Sequence, residues 1–154
     1  MSTATVCHIL KESRLLLQKK SEGLFGAGKW NGVGGKCHPD ETPEICVVRE
    51  VYEETGLIVR SIKHHGELTF TFGSQVSSKL VVHVFSTQDF EGSIQANDEG
   101  VLQWFAFTDI PYHSMWLDDR YWLPLLLDGK RFQGFFHFNQ AGTVIREWKL
   151  NEIR

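Results

Sequence analysis

The stretch Gly35-Lys36-Cys37-His38-Pro39-Asp40-Glu41-Thr42-Pro43-Glu44-Ile45-Cys46-Val47-Val48-Arg49-Glu50-Val51-Tyr52-Glu53-Glu54-Thr55-Gly56-Leu57 decides how this chain is read. Thr42 can accept a hydrogen bond at a helix start, Pro43 suits the first helical position, Glu44 falls in the first turn, and Gly56 is a common stop. The spacing predicts a helix over residues 43–55. On that helix Glu50, Glu53 and Glu54 stand at i, i+3 and i+4, so their carboxylates share one face. Like charges so placed cost a helix roughly 0.2–0.5 kcal/mol per pair, which a neutralising cation would offset. Hard oxygen ligands select Mg2+ (or Mn2+), ions that keep water and bridge to phosphates, the setting for attack of water at phosphorus. The bland alternative is a solvated acidic helix face, the usual explanation of glutamate-rich stretches. Against it, Arg49 lies four residues before Glu53 and Glu41 lies in the loop ahead of the helix, an ordered set of charges.

Outward from this helix, strand signals dominate. Thr5–Leu10 and Leu15–Lys20 are β-rich runs separated by polar Lys11–Arg14, as in a hairpin. Gly23–Gly35 is rich in glycine around Phe25, Trp30 and Asn31, which predicts a loop and a short strand closely approached by other groups. Leu57–Phe72, Leu80–Phe85, Gln103–Phe107, Phe132–Phe138 and Thr143–Trp148 read as further strands, and Arg120–Leu127 as a second helix capped by Asp118 or Asp119. Strands and two helices interleave without strict alternation, so the expected class is α/β with a mixed sheet flanked by helices, in one domain over residues 1–154.

Composition bounds the function. A chain of 154 residues with 42% hydrophobic and 12% aromatic residues can fill one core, and a formal net charge of −3 lacks the basic footprint of a protein that tracks a nucleic-acid polymer. Met1–Leu10 has neither a basic leader nor a long apolar run, and Lys11 and Glu12 interrupt it, so no membrane association and a cytoplasmic location are expected. Cys7, Cys37 and Cys46 are odd in number and lack close paired spacing, which suits structural, reduced thiols.

Gly35, Glu41, Arg49, Glu50, Val51, Glu53, Glu54, Gly56 and Leu57, at these spacings, resemble the Nudix box at every defining position. The resemblance implies a Nudix fold, a mixed β-sheet sandwiched between α-helices. It implies that Glu50, Glu53 and Glu54 bind metal with the Gly35 carbonyl, while Arg49 and Glu41 orient the acids. Glu54, Glu53 and Glu99 are all candidates for the water-activating base. Glu99, in the Asn97–Gly100 loop, is also a candidate extra ligand, with a surface acid as its plain alternative.

Outside the box, Phe25–Gly32, Met115–Trp122, Leu125–Leu127 and Phe132–Phe138 are similar to the MutT-type oxidised purine nucleoside triphosphatases. By that resemblance Thr5, Lys20, Asn31, Trp116, Asp118 and Asp119 contact the nucleotide, with Phe25, Phe70, Phe72 and Leu80 lining the pocket. Departures are Leu117 where that group has proline, Leu80 in place of methionine, and a loop before Phe25 one residue longer. The implied reaction converts 8-oxo-dGTP or 2-hydroxy-dATP to the monophosphate and pyrophosphate. The enzyme would be a monomer acting on a small-molecule nucleotide.

The physics agrees with a base site. An indole offers a stacking face worth about 1–3 kcal/mol per base. A guanine edge presents donors at N1 and N2 and an acceptor at O6, so an ionised Asp119 could accept while a protonated Asp118 donates. Taken alone, Trp116 reads as well as a core aromatic, and Asp118 and Asp119 as helix caps. Within the same class, a hydrolase of ADP-ribose or dinucleoside polyphosphates is a rival, although no tyrosine stands in the Gly66–Leu80 region. From another class, a non-catalytic nucleotide sensor has no chemical reason to keep Glu50, Glu53 and Glu54 together.

Overall fold

β1 (Ser2–Lys11) and β2 (Arg14–Lys20) form a hairpin closed by Glu12 and Ser13, whose φ angles of 52° and 61° provide the two left-handed positions of a tight turn. This and the rest of the description come from a computed structural model that describes residues 2–23, 27–74, 78–95, 97–98 and 100–154. The strands pair only from Ile9↔Leu16 to Lys11↔Arg14 and then separate. The fork admits the glycine-rich segment: β3 (Trp30–Asn31) pairs with β2 at Gln18 and Lys19, and isolated bridges join Val33 to Cys7 and Lys36 to Ala4.

The remaining elements are α1 (Pro43–Thr55), β4 (Ile58–Phe72), β5 (Leu80–Glu91), β6 (Gly100–Ala106), α2 (Asp119–Leu127), β7 (Arg131–Phe138) and β8 (Ile145–Ile153). Among the described residues the sheet order is β3-β2-β1-β5-β4-β7-β8, with β6 also pairing β2. β1 runs parallel to β5 and β4 parallel to β7, and the other pairs are antiparallel. The sheet is therefore mixed, as the interleaved pattern requires.

Side-chain alternation sorts β1 onto two cores. Val6 and Leu10 join Leu15, Leu17, Leu68, Phe132 and Phe136 against Trp122, Leu123 and Leu126 of α2. Cys7 and Ile9 join Leu16, Val59 and Phe85 against Val47 and Val51 of α1. The helices thus cover opposite faces. α1 has the expected ends: Thr42 accepts from the Ile45 N–H, Pro43 opens the helix, and Gly56 closes it at φ 80°, its N–H donating to Tyr52 O.

β5 and β8 run further than their sequences predict, to Glu91 and Ile153. The polar tail of β5 is recruited because β1 and β4 hydrogen-bond to its two edges, so pairing overrides composition. The reading of three reduced thiols is corrected. Cys37 and Cys46 are joined in a disulfide with Cα atoms 5.3 Å apart, and Cys7 is a free, buried thiol. A turn in which the Glu41 N–H donates to His38 O reverses the chain between them, so wide spacing in sequence becomes contact in space. Among the described residues no helix is long and apolar enough to cross a membrane.

α2 is fixed largely by burial of Trp122, Leu123 and Leu126. Leu126→Ala is expected to cost about 2–5 kcal/mol by cavity formation, read as a lowered urea midpoint at unchanged slope.

Candidate active site

α1 presents its acids beneath the glycine-rich segment. Glu54 is buried at 3% exposure; its Oε2 accepts the Gly34 N–H (3.1 Å) and its Oε1 faces Lys20 Nζ (3.4 Å). Glu50 lies directly below Gly35, where an added Cβ would come within 2.6 Å of Glu50 Oε2. A Cβ on Gly34 would collide with the backbone of Thr5. Gly34 is therefore demanded by close approach of the backbone, while at Gly35 a Cβ would displace the Glu50 carboxylate. Glu53 is the outermost acid, its side chain 56% exposed.

Arg49 organises the set. Its Nε and Nη2 donate to the two oxygens of Glu41 (2.6 and 2.8 Å), and Nη1 donates to Glu50 (2.8 Å) and Glu53 (3.0 Å). Nη2 also donates to Lys36 O (3.3 Å). The Arg49 hydrogen bonds hold the Glu41 carboxyl at a pKa of about 2, and its acid neighbours, Glu41 foremost, raise that of Arg49.

On the opposite face of the sheet, a cavity of about 120 Å³ is lined chiefly by aromatic and aliphatic side chains, with Asn31, Asp118 and Asp119 as its polar members. Phe72 stacks on Phe138 (5.4 Å), and both meet Trp116 edge-on. Lys29 Nζ lies 5.3 Å from the centre of the Trp116 ring. Asp118 and Asp119 are 4% and 2% exposed. Asp118 occupies the cap position of α2 without capping it, and its Oδ2 accepts the indole N–H of Trp122 (2.8 Å). Asp119 Oδ2 is buried without a hydrogen-bond partner. Behind this floor, burial and the charge of His65 lower the pKa of His8, 5.6 Å from Trp122, to about 3, so the ring stays neutral.

The structure brings Asn31, Phe70, Phe72, Leu80, Trp116, Asp118 and Asp119 together around one cavity. Thr5 and Lys20 stand apart from it, on the α1 side. The Thr5 N–H and hydroxyl both donate to the Gly35 carbonyl (2.9 and 3.4 Å), and Lys20 faces Glu54. Phe25 and Glu99 lie outside the described residues. Sequence reasoning missed Val6, Leu68, Val82, Trp122 and Phe138 as lining residues. Period-two alternation could have found two of them, since Leu68 shares a strand face with Phe70 and Phe72, and Val82 with Leu80.

An acid-bearing helix under a glycine-rich segment, backed by an aromatic cavity with buried acids, defines the class as a nucleotide-processing site. The NUDIX domain pattern matches residues 1–126, and the chain belongs to the Nudix family. It is 42% identical over 149 residues to the oxidized purine nucleoside triphosphate hydrolase of Danio rerio, covering 97% of this chain and 94% of that one. It is 40% identical over 157 residues to the Mus musculus protein of the same name, covering 99% and 98%. The mutator MutT protein from Bacillus halodurans superimposes with a TM-score of 0.88 over 98% of each chain at 23% identity, a likeness of fold.

Burial raises the pKa of Asp118 to about 6. Asp119 is pushed well above the carboxylate range by burial and by the charge of Asp118. The indole N–H favours an ionised Asp118, so the proton resides on Asp119, the reverse of the distribution expected from sequence. Because the folded state holds protons that the unfolded state releases, this pair's stability contribution is full below pH ~4 and is lost as pH rises through about 6 and beyond. Asp119→Asn removes the later loss. The variant should melt several degrees above wild type at pH 8, with the gap closing towards pH 4.5, at roughly 2–4 °C per kcal/mol. Parallel melting curves at every pH would contradict this account.

Proposed function

We propose that this Nudix hydrolase converts oxidised purine nucleoside triphosphates, such as 8-oxo-dGTP and 2-hydroxy-dATP, to the monophosphate and pyrophosphate in the cytoplasmic nucleotide pool. The observation that carries the reading is the aromatic cavity whose buried polar floor is an acid pair sharing a proton. The activity named for the fish and mouse relatives supports it.

The family works with a divalent metal ion, and we assign Mg2+ or Mn2+ as the ion used here. Glu50, Glu53, Glu54 and the Gly35 carbonyl would hold it. They are hard oxygen donors, the kind that Mg2+ and Mn2+ select. Such an ion supplies Lewis-acid polarisation of the phosphate chain and lowers the pKa of water. The protein's own residues do the rest. Arg49 fixes Glu50 and Glu53 relative to Glu41, and Lys20 offsets the charge of Glu54 beside the phosphate path. Glu53 is the better-placed base, since solvent reaches it, whereas Glu54 is buried against Lys20 and Gly34. In the cavity Trp116 stacks on the purine, protonated Asp119 donates to a base oxygen, and ionised Asp118 accepts from a base N–H. Moving the proton between the acids fits the pocket to oxidised guanine or oxidised adenine.

A turnover screen over normal, oxidised and methylated purine triphosphates, with ADP-ribose and dinucleoside polyphosphates as controls, tests the reading. Oxidised purine triphosphates should give the highest kcat/KM, and orthophosphate with a nucleoside diphosphate as first products would refute it. Glu53→Gln should lower kcat/KM by roughly 10²–10⁴, because it removes the base together with one of the charges that hold the metal. Asp118→Asn should instead raise KM for 8-oxo-dGTP by about tenfold, because its single amide oxygen is taken by the Trp122 indole N–H and the base N–H left unpaired costs about 1–3 kcal/mol. Wild-type constants in either variant would remove that residue from its role.

A further inference from the structure

We propose that Cys37–Cys46 is a reversible thiol–disulfide site whose oxidised form clamps the metal-binding loop onto the catalytic helix. The inference rests on the metal-ligand assignment above. Cys46 is a buried residue in the first turn of α1, and Cys37 is half-buried two residues after Gly35. The Cys46 sulfur lies 3.8 Å from the Gly35 carbonyl oxygen and 3.7 Å from the Thr5 hydroxyl. The bond thus abuts the backbone oxygen assigned to the metal.

The loop it closes spans nine positions and encloses Glu41, the residue that grips Arg49 with both oxygens. Restraint passes along a short path. The bond limits the Glu41 loop, Glu41 fixes the guanidinium, and the guanidinium fixes Glu50 and Glu53. The Lys36 carbonyl, also held by Arg49, lies between Gly35 and Cys37 and belongs to the same clamp. Groups that orient metal ligands in this way typically change metal affinity by about 10–100-fold when lost.

In a reducing compartment a disulfide is usually transient and redox-sensing. A peroxide closes this one. A cysteine thiolate attacks the peroxide to give a sulfenic acid and hydroxide, and the second thiol displaces water, so two thiols and one peroxide yield the disulfide and two waters. A small dithiol reopens it by attack at the more exposed Cys37 sulfur, becoming a disulfide itself while Cys37 and Cys46 each take up a proton. Oxidants that damage purine nucleotides would then also tighten the metal site of the enzyme that removes them.

The test compares peroxide-treated with dithiothreitol-reduced protein, both freed of reagent. Intact mass should differ by two hydrogens, and free Mn2+ measured by electron paramagnetic resonance should give about tenfold tighter binding to the oxidised form. Amide exchange over residues 36–42 should be faster in the reduced form. Cys37→Ser should bind Mn2+ like the reduced protein after either treatment, and Cys37→Ala should do the same. Equal Mn2+ affinity in the two wild-type forms would overturn the proposal, as would three titratable thiols after peroxide. The Mn2+ titration needs no nucleotide, so a failed turnover screen would sink the proposed substrate while leaving this result to stand or fall separately.

Discussion

The Arg49 guanidinium, gripped by Glu41, is the interaction on which the acid half of the site depends. Its five N–H donors are matched by five bonds, to Glu41 twice, to Glu50, to Glu53 and to the Lys36 carbonyl. Only the rigid planar fork of arginine presents that many donors in fixed directions. A lysine would offer a point charge and leave the carboxylates to separate by repulsion. One cation among Glu41, Glu50 and Glu53 still leaves the face negative, with Lys20 facing Glu54 nearby. The arrangement is fixed in shape and short of positive charge, which is what a divalent ion with a phosphate chain would complete.

The separation of β1 from β2 links this acid face to the base cavity. Because the strands part after Ile9↔Leu16, the segment from Trp30 to Lys36 enters the sheet itself. Asn31 at one end lines the cavity, and Gly34 and Gly35 at the other meet Glu54 and Glu50. Four extended steps cover roughly 13 Å. A segment of that reach spans from the aromatic cavity to the acid face of α1. Gly34 is necessary because the Thr5 backbone leaves no space for a Cβ.

What the sequence made legible follows from the range of the forces involved. The bounds of α1 were readable because Thr42, Pro43 and Gly56 act within a turn of their own positions. The acid constellation was readable because helical periodicity alone places it on one face. The full reach of β5 was not, since it depends on partners from β1 and β4 far along the chain. Cys37 and Cys46 were misread for the same reason: their contact is created by the turn at His38–Glu41 and the direction of α1. Thr5 and Lys20 entered the candidate list through family resemblance, and the parity of β1 and β2 then turned both toward α1.

Of the two readings of Asp118 and Asp119, helix caps or base readers, the first is tested by where their oxygens go. A capping aspartate accepts from the backbone of the next turn, and Asp118 instead accepts the indole N–H of Trp122, one helical turn further on. That bond orients both the acid and the ring that walls the cavity. Asp119 is left with a buried oxygen that has no partner, a costly condition in a folded protein unless a ligand satisfies it. Two apolar residues at these positions would pack the floor without that cost. Retaining buried acids whose proton affinity is raised by burial makes sense where the proton has a use, and a purine edge with both donors and acceptors would supply one. The energetic burden of the pair is therefore the observation on which the proposed base recognition rests.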